Sequence, residues 1–185
     1  MFLDDVQVVC LYMCALGGLC LLGLHRLLTL WRYVRGIRSV SRPPSSTPEH
    51  YPFVTVQLPV FNERHVVARL VEAVSRLDWP QDRLQIQVLD DSTDETTALA
   101  REAVMRACQQ GLDATLIHRE NRLGFKAGAL ANAMPQVRGE FVAIFDADFV
   151  PQSDFLKQLM PRFGAEVGML QARWGHINRD HTILT

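Results

Sequence analysis

The chain has 185 residues, of which 48% are hydrophobic and 21% charged, with a formal net charge of -1. That length suits one domain of ordinary size plus a short extra segment. The near-neutral charge excludes general nucleic-acid binding, which needs a basic surface to replace counterions. Cys10, Cys14, Cys20 and Cys108 form no C-x-x-C pair, so they read as small buried hydrophobes, not as a disulfide framework or zinc site.

The first element is apolar. Val6–Leu24 is interrupted only by Gln7, and its nineteen residues reach roughly 28 Å as a helix, close to the hydrocarbon thickness of a bilayer. A cleaved signal peptide carries its positive charge before the apolar run; here Asp4 and Asp5 precede it and Arg26, Arg32, Arg35, Arg38 and Arg42 follow. A buried soluble helix would show a polar face, and this stretch has none. The segment therefore reads as a transmembrane helix with its arginine-rich C-terminal side in the cytoplasm, and with Trp31 and Tyr33 at headgroup level. Residues 1–41 form this anchor and basic segment, and the proline- and serine-rich run at 42–51 reads as a linker.

From residue 52 onward, strands and helices alternate. Phe53–Leu58 predicts a strand, and Val66, Val67, Leu70, Val71, Val74 and Leu77 repeat at helical spacing. Leu84–Leu89 predicts a second strand, and Ser92 and Glu95 have capping-box spacing for a helix running to Gly111. Ala114–Arg119 predicts a third strand and Lys126–Met134 a short helix. Phe141–Phe145 is continuously apolar, as expected of a strand covered on both faces. Ser153–Phe163 reads as helix and Val167–Ala172 as a last strand. The alternation predicts an α/β domain with a mainly parallel sheet and helices on both faces, whose ligands gather at the C-terminal strand ends.

Acidic residues fall at those ends. The first strand runs into Asn62 and Glu63, the second into Asp90 and Asp91, and the fourth into Asp146-Ala147-Asp148. Clustered carboxylates repel one another unless a cation or donors compensate. Alternate side chains after a strand point the same way, so Asp146 and Asp148 can approach one hard cation, Mg²⁺ or Mn²⁺, which completes its shell with substrate phosphates. Lys126 at a helix N-terminus is electrostatically unfavourable unless an anion lies nearby. Each feature alone also fits a solvated turn or a helix cap; the ordered combination carries the signal.

With these residues in view, the soluble part resembles the family 2 glycosyltransferases, in their cellulose-synthase-like and glucomannan-synthase-like branch. The carrying motifs are Gln57–Glu63 (QLPVFNE), Leu77–Pro80 (LDWP), Gln87–Asp94 (QVLDDSTD), Asn121–Leu130 (NRLGFKAGAL), Phe145–Pro151 (FDADFVP) and Val167–Trp174 (VGMLQARW). The resemblance implies a GT-A fold and an inverting hexose transfer from a nucleotide-diphosphate sugar, GDP-mannose or UDP-glucose, to a glycan or lipid acceptor. It implies that Asn62 and Glu63 line the nucleotide pocket, that Asp90 or Asp91 contacts base or ribose, and that Lys126 faces base or diphosphate. It further implies that Asp146 and Asp148 hold the divalent metal, and that Gln171, Arg173 and Trp174 lie near the sugar or acceptor. The family's general base and its Q-x-x-R-W motif belong to later segments, so residues 52–185 are expected to be the nucleotide-binding half of a longer protein. Two alternatives stand beside this reading: a membrane-tethered nucleotide-binding module without catalysis, and a haloacid-dehalogenase-like phosphatase with Asp146 as nucleophile and Asp148 as acid.

Overall fold

The computed structural model describes residues 4–37, 50–172 and 175. The chain divides into two units, Met1–Pro43 and Pro44–Thr185.

The first unit is one helix, α1 (Asp5–Ile37), long and apolar enough to cross a membrane. Its 33 residues extend about 50 Å, beyond the apolar run that ends at Leu24 and through the basic segment that follows it. The continuation is physically reasonable: Leu27, Leu28 and Leu30 are good helix formers and no proline intervenes. Near its end the Arg35 guanidinium lies 3.9 Å from the centroid of the Trp31 ring, one turn earlier. The cysteines are not buried as expected: Cys10, Cys14 and Cys20 lie on the outer surface of α1, and Cys108 is also exposed.

The second unit is built on a parallel sheet of β1 (Val54–Val60), β2 (Leu84–Asp90), β3 (Asp113–His118) and β4 (Phe141–Ile144), in the order β3-β2-β1-β4. Between them run α2 (Val67–Ser75), α3 (Thr96–Gln109) and α4 (Phe125–Ala133), and α5 (Phe155–Leu159) follows β4. Helices cover both faces. Val54, Val56 and Leu58 of β1 and Leu84, Ile86 and Val88 of β2 point to one face, where they bury fully against α2, α3 and Leu156 of α5. Burying each such side chain contributes about 1.5–3 kcal/mol.

The opposite face is polar where it meets the chain after α4. Thr55 pairs in register with Gln85, and Gln57 with Gln87. The Thr55 hydroxyl donates to Gln85 at 2.8 Å, and Gln57 Nε2 donates to Gln87 at 3.0 Å. Gln85 and Gln87 both donate to the Gln136 carbonyl, while Arg138 and Gly139 donate their N–H groups to Gln85 and Thr55. This ladder fixes the entry into β4.

Three local expectations change. Ser92 does not cap α3; its hydroxyl accepts from Asn62 N–H at 2.9 Å, and Asp94 accepts from the Thr96 N–H instead. β4 is an edge strand, and α4 lies over β1 and β2, so Val142 and Ile144 remain exposed on that face. Val167–Ala172 forms no strand: an apolar pattern becomes a strand only with a ladder partner, and among the described residues none pairs with the outer edge of β4.

Candidate functional site

All four strands are parallel, so Val60, Asp90, His118 and Ile144 end along one edge. The register places Val60 opposite Asp90 and Asp90 opposite His118. The residues just beyond these ends are therefore neighbours in space.

Asn62 sits in the left-handed region, with φ of 55°, a conformation that asparagine tolerates better than most side chains. That turn lets its side-chain oxygen accept from the Thr93 N–H at 2.9 Å, while its own N–H donates to Ser92. Asn62 thus ties the loop after β1 to the loop after β2. Glu63 is exposed, and its carbonyl accepts from the N–H groups of Val66 and Val67 at the start of α2.

The adjacent aspartates take different roles. Asp90 is fully buried, and three of the chain's own groups occupy its carboxylate: Ser92 N–H at 3.0 Å, the Thr97 hydroxyl at 2.6 Å and His118 Nδ1 at 2.8 Å. Asp91 faces Arg119, whose Nε and Nη2 engage both of its oxygens. That fork-to-carboxylate bond holds the Arg119 guanidinium above its ordinary range, against the smaller opposing effect of partial burial. Arg119 also donates to the carbonyls of Leu123 and Phe125, each at 3.2 Å, and so folds the loop leading into α4.

That loop aims Lys126. Gly124 precedes α4 with φ of 73°. Gly128 packs so close that a Cβ there would lie 1.9 Å from the Leu123 carbonyl oxygen. Arg122 lies over the Phe61 ring, 3.3 Å from its centroid, which joins this loop to the one after β1. Lys126 leaves the first turn of α4 and pairs with Asp146. The anion that a lysine at a helix start calls for is therefore a carboxylate from the loop after β4.

Asp146 and Asp148 do not continue β4 as an extended strand. The Phe149 N–H donates to the Asp146 carbonyl at 2.9 Å, so the pair sits in a tight turn. Phe145 stacks on Phe149 at 5.4 Å, and both meet the edge of Phe155, which roots the turn in the core. Both aspartates are exposed, and among the described residues Asp148 has no ion pair. No group of three or more metal-binding side chains gathers among the described residues. Two exposed carboxylates, one of them paired with Lys126, nevertheless fit Mg²⁺ or Mn²⁺, which are held by one or two carboxylates and keep places for phosphate oxygens and water. Gln171 is exposed and lines a groove beside β4 that also includes Asp146. Arg173 and Trp174 lie outside the described residues.

The motifs did not include His118 or Arg119, and they contained Phe61 and Arg122 without assigning either a role. A signal for Arg119 existed, because it follows β3 as Asp91 follows β2. It becomes legible only once the register of β2 and β3 is known.

The family model for glycosyl transferase family 2 matches residues 55–183. Glucomannan 4-beta-mannosyltransferase 1 of Oryza sativa subsp. japonica is 43% identical over 152 residues, covering 77% of this chain and 29% of that protein. The mannosyltransferase PcManGT from Pyrobaculum calidifontis, solved in complex with GDP-Man and Mn2+, is similar in structure with a TM-score of 0.61 and 32% identity. That match covers 77% of this chain and 43% of the other. The chain thus spans under half the length of these relatives, and its parallel sheet with helices on both faces is the GT-A-like arrangement they share. With a family match across most of the second unit, the chain belongs to glycosyl transferase family 2.

Proposed function

We propose that the protein is a membrane-bound, inverting glycosyltransferase that moves a hexose from a nucleotide-diphosphate sugar to a glycan or glycolipid acceptor on the cytoplasmic side. The observation that carries this reading is the pairing of Lys126 with Asp146, two residues before the exposed Asp148, at the edge where the Asn62 and Asp91 loops also end. The mannosyl names of both relatives, and the GDP-Man of one, favour GDP-mannose over UDP-glucose as donor.

Asn62 and Glu63 shape the nucleotide side of the pocket. Asp91, oriented by Arg119, is the carboxylate suited to base or ribose, and buried Asp90 serves as a positioning residue. Asp146 and Asp148 would hold Mg²⁺ or Mn²⁺, which when bound neutralises charge on the departing diphosphate. Lys126 offers a second positive charge to the same diphosphate. Gln171, Arg173 and Trp174 belong to the sugar and acceptor side. The proton acceptor for the attacking hydroxyl is assigned to the part of the relatives' length that this chain does not span.

Calorimetry on the full 185-residue chain in detergent, with GDP and UDP, with and without Mn²⁺, tests this reading. The expected result is Mn²⁺-dependent binding, tighter for GDP, that is lost in the D146N/D148N double variant. A folded chain that binds neither diphosphate in the presence of Mn²⁺ refutes the assignment of this edge as the donor site.

A further inference from the structure

This inference rests on the reading of the sheet edge as a metal–diphosphate site. We propose that Lys126 is a latch, closed on Asp146 in the free chain and transferred to the donor diphosphate on binding, so that cation and nucleotide each bind a few-fold more tightly when the other is present.

The Lys126 ammonium contacts Asp146 Oδ1 and leaves Asp148 without an ion pair among the described residues. A divalent cation bonded to that oxygen sits at about 2.0–2.1 Å for Mg²⁺. An ammonium cannot occupy the same approach, and like charge pushes the two cations apart. Entry of the metal on Asp146 Oδ1 along that approach requires Lys126 to shift, and entry at Oδ2 is opposed by its charge.

Lys126 gains a replacement partner when a second anion is present. It extends from the first turn of α4, where exposed N–H groups make a cation unfavourable and an anion favourable. Asp146 meets that need in the free chain. A bound diphosphate meets it more strongly, and offers oxygens to the cation as well.

The moving part is the side chain and not the loop. Arg119 holds the Leu123 and Phe125 carbonyls, and Gly128 packs against the Leu123 carbonyl, so the start of α4 is fixed on the sheet. The lysine stem is flexible, and both partners are about half-exposed, at 51% and 53%. An exposed pair of this kind is weak, worth about 2–5-fold in an equilibrium. The latch therefore tunes binding without blocking it. By linkage, whatever factor GDP adds to cation affinity, the cation adds to GDP affinity.

The test measures free Mn²⁺ by electron paramagnetic resonance while Mn²⁺ is titrated into the full chain in detergent, with and without GDP. Wild type is compared with K126M, K126R and D146N, with folding checked by circular dichroism. K126M is expected to tighten Mn²⁺ binding about 2–5-fold in the absence of nucleotide, and to shrink the enhancement by GDP by at least that factor. K126R keeps a positive charge beside Asp146, so its nucleotide-free Mn²⁺ affinity should stay below that of K126M, whereas D146N should lose Mn²⁺ binding. Mn²⁺ binding that depends on Asp146 but is unchanged or weakened in K126M overturns the latch and leaves the donor-site reading standing. No Mn²⁺ binding by wild type or K126M, with GDP present, overturns both.

Discussion

Asp90→Ala should unfold the second unit far more readily, because Asp90 organises the loop edge from inside. Its fully buried carboxylate accepts from Ser92 N–H, the Thr97 hydroxyl and His118. Hydrogen bonds to a charged acceptor contribute about 1.5–3 kcal/mol each. Three of them would sum to more than single substitutions normally cost. Bonds in one network are not additive, and His118 is partly solvent-exposed, at 36%. A loss of about 3–5 kcal/mol is the consistent figure, since the substitution leaves the buried Ser92 N–H and the half-buried Thr97 hydroxyl unpaired and removes a buried carboxylate. At about 3–4 °C per kcal/mol for a unit of this size, Tm should fall by about 10–20 °C. Asp90→Asn keeps the volume and one acceptor oxygen, so it should cost only about 1–2 kcal/mol and should retain GDP binding. In a W31F/W174F background, fluorescence of Trp79, which is buried in the second unit, reports the transition separately from the helicity of α1. An Asp90→Ala chain within about 1 kcal/mol of wild type refutes the reasoning. So does an Asp90→Asn chain of unchanged Tm that no longer binds nucleotide, because that outcome makes Asp90 a direct ligand.

Two further expectations test other parts of the edge. Gly128→Ala puts a Cβ 1.9 Å from the Leu123 carbonyl oxygen, so helix or loop must shift; overpacking of this kind costs about 1–3 kcal/mol. Thermal unfolding should show a drop of several degrees, and an unchanged Tm would mean that the α4 start is not tightly held. Asp94 has its carboxyl held below the ordinary value of 3.8 by Thr96, whose N–H donates to it at 2.9 Å. A group with a lowered folded pKa adds stability above its unfolded pKa and loses it as pH falls through the folded one. Urea midpoints between about pH 3 and pH 6 should therefore fall less steeply with acid in Asp94→Asn than in wild type; parallel curves would sink this assignment.

The elements of the second unit were largely legible because each rests on a local period. Val54, Val56 and Leu58 alternate as a strand must, and Val67, Leu70, Val71 and Val74 recur as a helix face must. The apolar run of α1 was legible from its unbroken length, and nothing in the local sequence stops that helix at Leu24, so it runs on through the basic segment to Ile37. Ser92 misled because capping-box spacing cannot reveal that Asn62, thirty residues earlier, claims the hydroxyl. Val167–Ala172 misled because strand formation depends on a partner that the segment itself does not encode.

The sequence by itself determined which loops carry carboxylates and where Lys126 falls, since motifs and strand ends are properties of neighbours along the chain. Only the tertiary structure decided how those charges are shared: Asp90 turned inward to Thr97 and His118, Asp91 to Arg119, and Asp146 to Lys126. The physical reason is that pairing across parallel strands depends on register, and register is set by packing of whole faces, not by any single motif.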